Sequence, residues 1–451
     1  MQRVLRLRDL IFYGIVVITP IAPVPIYGVA QQLSRGHVIL SLALAGVAMM
    51  LTAFSYGRMA NLYPSSGSAY VYIGRGLNRH LGFFAGWTMT LDYVVLPIVA
   101  IIQVALALQR LVPSVPYGLW VTLLTVIITV LNLRGLRTAA WTNIALLACM
   151  GIVIVAFLAL STHYLLREHG PTGLISLRPL YDSSTFDLRA IATATSFSAL
   201  TYIGFDGLTT LAEEVDNPKR NIPLATVTVC AFTAAFSCLL VYVAQLIYPD
   251  YRSFQNIETA FMDVTRRVGG ETLFQAMGFV VVLSSFGAAV GGEIAASRVL
   301  LAMGRDNVLP RRFFARLNTN SDNPLRNILL ISLIAWIGSL TLSLERAGEL
   351  LNFGALLGFM GVNVAAFHQG YLLQENSQRH LFVDAIVPLT GFLFCFVIWL
   401  TLPVPAQLTG GLWLLVGIVY YATRNRTFRS DSSTPKLPDA GGRDPTTSPT
   451  E

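Results

Sequence analysis

Apolar stretches long enough to cross a bilayer recur along the chain at about 11–30, 38–57, 82–108, 117–133, 141–162, 189–212, 222–248, 272–300, 327–344, 349–370, 382–402 and 409–423. They predict an all-α polytopic membrane protein with about twelve transmembrane helices. Two of the stretches are interrupted. The first contains Thr19-Pro20-Ile21-Ala22-Pro23-Val24-Pro25-Ile26-Tyr27-Gly28, and the sixth contains Gly204-Phe205-Asp206-Gly207. Ten of the stretches divide into two sets of five, about 11–162 and 189–370, each opening on an interrupted helix. The last two, about 382–423, stand outside that pattern. Matching breaks at the head of two halves are the mark of an inverted repeat whose substrate site lies where the helices unwind. The halves share no evident sequence identity, so the 5+5 repeat rests on hydropathy and on the paired breaks. A single membrane domain over 1–429 follows, with 430–451, rich in Ser, Thr, Pro, Asp and Gly, expected to be disordered.

Two connections are long enough to carry structure of their own, 163–188 and 249–271. In the second, Tyr251, Phe254, Ile257 and Phe261 recur at near-helical spacing and predict a short amphipathic helix over the outer vestibule.

Composition sharpens the class. Hydrophobic residues make up 54% of the chain and charged ones 12%, a balance that a soluble domain of this size would not need. With a cytoplasmic N-terminus, the inner loops hold Arg58, Arg75, Arg79, Arg134, Arg137, Lys219, Arg220, Arg305, Arg311, Arg312, Arg316, Arg424, Arg426 and Arg429. The outer connections are poorer in Lys and Arg, which is the positive-inside asymmetry of a cytoplasmic membrane. The first segment is longer than a signal-peptide core and lacks a small-residue cleavage site, so it reads as retained. The net charge of +7 comes from those inner loops and points to anionic lipid rather than nucleic acid. Cys149, Cys230, Cys238 and Cys395 all fall inside apolar stretches, without disulfide or metal spacing. No nucleophile with an adjacent base, phosphate loop or His-rich cluster appears, so neither metal nor cofactor is expected and an enzyme is the least supported class.

A helix broken at membrane depth leaves backbone N–H and C=O groups that only protein or a wet cavity can satisfy. Those groups become ligand contacts, or else the prolines merely kink a packed helix. In the first break Pro23 and Pro25 each lack a donor, which makes it a poor cradle for a substrate carboxylate. Ionisable residues at membrane depth are costly and read as functional. Three stand out: Asp92 in the third stretch, Asp206 in the sixth and Glu293 in the eighth, each able to serve a proton or a cationic substrate; for each, a hydrogen bond between helices is the alternative. Tyr93, Tyr202 and Phe205 would form an aromatic wall for an ammonium group. Trp87, Trp120 and Trp413 lie near predicted helix ends and read as interface anchors. The charged motifs Glu213 to Arg220 and Gly304 to Pro310 read as hinges or gates, or as solvated loops.

Several of these motifs together resemble the amino acid, polyamine and organocation (APC) transporter superfamily across nearly the whole chain. They are Tyr63 to Tyr70 leading to Gly86-Trp87 and Leu91-Asp92-Tyr93, Ile203-Gly204-Phe205-Asp206 with Glu213-Glu214 and Asn217 to Arg220, and Ser297-Arg298 with Gly304-Arg305-Asp306. Within it, Phe54-Ser55-Tyr56-Gly57, Leu91-Asp92-Tyr93, Gly204-Phe205-Asp206, Met303 to Val308 and Asn352-Phe353-Gly354-Ala355 look most like the bacterial putrescine importers. The resemblance implies a leucine-transporter-like fold and proton-coupled uptake of an amine or amino acid by alternating access. It also implies substrate contacts at Ala22, Pro23, Tyr93, Gly204, Phe205, Asp206 and Glu293, with Asp206, Glu293 and Asp92 as candidates for proton coupling. Three departures stand out. Pro25 occupies the place of an acid and Leu200 that of an aromatic, and no Lys occurs between 141 and 162, where some members carry a proton-linked one; Glu293 is the replacement charge. An amino acid permease or exchanger, and a channel or ligand sensor of the same fold, are the alternatives.

Overall fold

A computed structural model describes the chain except for residues 1–4, 20, 65–67, 135–139, 212–214, 306–307, 318–323, 375–378 and 431–451, and the side chains at 16–17, 140–146, 210 and 424–430. The expected tail therefore lies outside the described residues, as do Arg137, Glu213, Glu214, Asp306 and Asn307.

The described residues fold into helices and turns, with no strand among them beyond an isolated bridge from Leu5 to Val215. In chain order the helices are α1 (Leu7–Ile18), α2 (Tyr27–Leu33), α3 (Val38–Leu62), α4 (Ser68–Gly76), α5 (Arg79–Leu111), α6 (Tyr117–Leu133), α7 (Ala140–His169) and α8 (Leu188–Ser198). They continue with α9 (Pro218–Ile247), α10 (Ala260–Arg305), α11 (Arg311–Phe314), α12 (Leu325–Thr341), α13 (Leu344–Phe367), α14 (Val387–Leu400) and α15 (Val404–Ser430). Among the described residues, eight helical spans are long and apolar enough to cross a membrane, and α6 and α12 are shorter apolar helices. The first and sixth predicted stretches each fall on a helix that stops and resumes as turns.

At the first break α1 ends at Ile18, residues 21–26 form turns, and α2 begins at Tyr27. Two donors of this segment are used locally: Ala22 N–H reaches the Thr19 carbonyl at 3.1 Å and Val24 N–H that of Ile21 at 2.8 Å. At the second break α8 gives way to a 3-10 turn over Ala199–Tyr202 and another over Phe205–Leu211. Between them Gly204 has φ 111°, a conformation that a Cβ would disfavour. Ending α8 early orphans its last carbonyls. Asn352 of α13 satisfies them, donating through Nδ2 to Ser196 O at 2.7 Å and Phe197 O at 3.4 Å.

The buried helix α5 is the axis on which α10, α12 and α13 pack, and glycines set the approach. A Cβ on Gly354 of α13 would stand 2.7 Å from the Thr88 carbonyl oxygen and 3.2 Å from the Asp92 nitrogen, both backbone atoms. Near the far end of α3, Arg58 pairs with Asp384, which is 1% exposed. Asp384 belongs to the π-helical turn Leu381–Ile386, and Gly370 of the turn His368–Leu372 lies beside the pair; irregular turns of this kind mark functional helix defects.

Three expectations are corrected here. The helix expected from Tyr251 onward starts only with the 3-10 turn at Ile257; Phe254 instead packs in the preceding loop against Tyr27 and Tyr248, with ring centroids at 5.9 and 4.8 Å. Trp87 and Trp413 are not membrane-interface anchors. Their rings stack at 4.9 Å and each indole N–H donates to the other's backbone carbonyl, at 2.9 and 3.0 Å, which locks α15 to α5. Tyr202 is no wall of the site: it is fully buried with its hydroxyl donating to the Leu42 carbonyl of α3 at 2.8 Å. The four cysteines are free.

Candidate functional site

The second break turns Asp206 inward, beside the backbone of Gly204 and Gly207, where the Gly207 N–H donates to the Gly204 carbonyl at 3.1 Å. Opposite, α5 presents Asp92 and Tyr93. Asp92 and Asp206 lie within electrostatic reach of each other, and Tyr93 is within reach of both. Each acid is 7% exposed, and no ion pair engages either among the described residues. One oxygen of Asp92, Oδ1, is buried without a hydrogen-bond partner. Two carboxylates taken out of water within reach of each other call for a cation or a proton.

Pro97 adds an acceptor to this corner. Inside α5 it has no N–H to give to the carbonyl four residues earlier, which is that of Tyr93. The close approach at Gly354 holds α13 against the same turn of α5.

An aromatic group closes the other side. Phe205 meets Tyr56 of α3 edge-on with centroids at 5.4 Å and Phe359 of α13 at 5.1 Å; Tyr56 in turn meets Tyr72 of α4 at 6.0 Å and Phe359 at 5.9 Å. Tyr56 and Tyr72 both lie within electrostatic reach of Asp206. The Tyr56 hydroxyl is buried without a partner. Aromatic faces beside two acids are the surroundings in which an ammonium group is held.

Of the residues expected at the site, Tyr93, Gly204, Phe205, Asp206 and Asp92 are brought together. Ala22 and Pro23 sit in the turns of the first break, Ala22 partly buried against the core and Pro23 buried. Pro25 faces a small cavity of about 20 Å³ together with Gln103 and Glu258. Glu293 has separate company: Asn132 of α6 and Ser332 of α12 both donate to it. Tyr56, Tyr72, Phe359 and Pro97 were not singled out individually. Tyr56 lay in a motif that pointed to the family, but in an apolar helix one tyrosine looks like another until the fold sets it beside an acid.

An acid at a helix break that faces a second acid on a neighbouring helix of an all-helical, apolar scaffold suits a membrane transporter. The profile of the amino acid permease family matches residues 11–423, and the chain belongs to that family. It is 29% identical over 436 residues, 95% of each chain, to the low-affinity putrescine importer PlaP of Escherichia coli (strain K12). It is 24% identical to the branched-chain amino acid permease BcaP of Lactococcus lactis subsp. cremoris (strain MG1363), over 94% of this chain and 95% of that one. To the methylthioribose transporter of Bacillus subtilis (strain 168) it is 25% identical, over 94% of each.

Proposed function

We propose that the chain is a secondary active importer of amines, with a putrescine-like diamine as substrate, working by alternating access and coupled to protons. The observation that carries this reading is the Asp92–Asp206 pair, two buried acids without an ion-pair partner, faced by Tyr93, Tyr56 and Phe205. A diamine offers one ammonium to the acids and a short apolar linker to the rings. Protons compete for the same carboxylates, so amine binding and proton release are linked. The first break supports the choice of cation over carboxylate, because Pro23 and Pro25 have no N–H and those of Ala22 and Val24 are already used. Similarity to PlaP agrees with it, while similarity to BcaP keeps an amino acid substrate as the rival.

In this reading twelve spans form the 5+5 inverted repeat with two added helices, both termini are cytoplasmic, and the protein resides in a bacterial inner membrane among anionic lipids. The test is uptake of radiolabelled putrescine into proteoliposomes with and without an inward proton gradient, in competition with a panel of amino acids. Gradient-driven uptake competed only by polyamines is expected. Uptake of an amino acid in its place, or strict exchange without net flux, would sink the amine-importer reading.

A further inference from the structure

Glu293 has chemistry that the acid pair does not use. It is 2% exposed on α10 and its carboxyl is held from two other helices. Asn132 of α6 donates through Nδ2 to Oε2, and also to the Val290 carbonyl at 3.3 Å. Ser332 of α12 meets Oε1 through its hydroxyl. Behind Ser332 stands a second hydroxyl, that of Thr129 of α6, 2.9 Å away.

Each hydroxyl has one hydrogen and a choice of two acceptors. Ser332 Oγ lies 2.8 Å from the Ile328 carbonyl as well as beside Glu293, and Thr129 Oγ1 lies 2.6 Å from the Thr125 carbonyl as well as beside Ser332. The cluster therefore has two complete arrangements. With Glu293 ionised, Thr129 donates to Ser332 and Ser332 donates to the carboxylate. With Glu293 protonated, its O–H donates to Ser332, and the two hydroxyls turn to Ile328 and Thr125. One proton added at Glu293 Oε1 and the rotation of two O–H bonds convert the first into the second, and no heavy atom moves.

No counter-ion is in place among the described residues. Among the described residues, α12 carries only Arg326, exposed in its first turn; α6 carries only Tyr117 at its far end, with exposed Arg134 just beyond it. On α10 the nearest charge is Arg298, which is exposed. The α5 neighbours Asp92 and Tyr93 interact with Asp206 and with each other, and on α11 Arg311 and Arg312 are exposed. A buried carboxylate with hydrogen bonds but no cation is costly, and a proton removes that cost.

We propose that Glu293 is a proton-binding site distinct from the amine site, with Ser332 as the hydroxyl that switches between its two states. The route to the amine site is short: Gly292 packs on Leu96 and Pro97 of α5, a turn away from Asp92 and Tyr93. The coupling role rests on the proposed importer function; the proton occupancy does not.

The test uses the full-length protein in lipid vesicles and two readouts. In infrared spectra taken as a function of pH, the wild type should give a carboxylic-acid carbonyl band that shifts in D2O and is missing from Glu293→Gln. Ser332→Ala should shift that band and change the pH at which it disappears. Glutamine keeps an oxygen for Asn132 and an N–H for Ser332, so it imitates the protonated form and preserves packing. Glu293→Gln should then bind putrescine as the wild type does, while losing the about tenfold accumulation per pH unit that one proton per substrate supplies. Persistence of the band in Glu293→Gln, or a band unaffected by Ser332→Ala, overturns the proton site. Full gradient-driven accumulation by Glu293→Gln, or loss of binding in step with accumulation, overturns its separate coupling role. If the wild type binds no putrescine, the importer reading fails, and the infrared result still decides whether Glu293 holds a proton.

Discussion

Replacing Asp206 by Asn tests the acid pair most directly. The wild-type carboxylate sits beside the backbone of Gly204 and Gly207, and it stands within electrostatic reach of Asp92. Asparagine keeps the size and shape of the side chain and loses the charge that faces the substrate. An ammonium then forfeits a hydrogen bond to a charged group, worth about 1.5–3 kcal/mol. At about 1.4 kcal/mol per factor of ten, the dissociation constant for putrescine should rise roughly tenfold to a hundredfold. Equilibrium binding of labelled putrescine to the purified protein measures this, with thermal unfolding as the check that the variant is folded. Asp92→Asn should behave alike, and the double variant should lose less than the sum, because both acids act on one cation. A folded Asp206→Asn protein with wild-type affinity for putrescine would refute the reasoning.

Three further expectations concern the scaffold. Gly354→Ala places a methyl 2.7 Å from a backbone oxygen of α5 that cannot rotate away; overpacking of about 1–3 kcal/mol should lower the melting temperature and weaken putrescine binding together, and an unchanged protein would show that α13 can shift freely. Arg58→Ala strands the buried Asp384 carboxylate, at a cost of about 3–5 kcal/mol, and adding Asp384→Asn should restore part of the lost melting temperature. In the loop before α8, the hydroxyl and N–H of Ser184 hold the Asp182 carboxyl below the usual carboxylate range. Its stabilisation is therefore complete above the ordinary value of about 3.9 and is lost as pH falls through the lower folded value. Proteolysis of this loop should accelerate toward low pH, and Asp182→Asn should make cleavage as fast at neutral pH; pH-independent cleavage of the wild type would remove Asp182 from the hold on the loop.

Hydropathy located the long apolar helices, and Pro and Gly marked both breaks, because burial in lipid demands continuous apolar runs and an interruption is conspicuous against them. Asp92 and Asp206 were legible for the same reason: a carboxylate at that depth has no cheap explanation. The partners of these acids were not legible. Tyr56 and Phe359 become site residues only because α3 and α13 meet Phe205, a consequence of helix packing that leaves no local mark. Tyr202, three residues before Phe205, was the more obvious candidate, yet the 3-10 turn points it at the Leu42 carbonyl instead. Trp87 and Trp413 mislead in a similar way, since an indole near a helix end suits a membrane interface and a helix contact equally well. Glu293 was visible as an acid but not as a member of the Asn132–Ser332–Thr129 cluster, which three separate helices assemble.

Whether such a site takes an ammonium or a carboxylate depends on which backbone groups the breaks leave free. A carboxylate needs N–H donors. In the second break the N–H groups of Ile203 and Gly207 are spent on the Leu200 and Gly204 carbonyls, and in the first break those of Ala22 and Val24 are spent on Thr19 and Ile21 while Pro23 and Pro25 have none. Restoring donors should therefore change ligand preference rather than merely loosen the protein. In Pro23→Gly combined with Pro25→Gly, two N–H groups return, each able to make a bond to a carboxylate worth about 1.5–3 kcal/mol. Greater freedom of the unfolded chain takes back about 0.4–1 kcal/mol of stability at each position. The variant should melt lower, bind putrescine no better, and let a neutral amino acid such as leucine compete for the site at a concentration at least several-fold lower than with the wild type. A parallel change in affinity for putrescine and leucine would mean that the prolines only stiffen the break, and that donor supply does not set the choice of substrate.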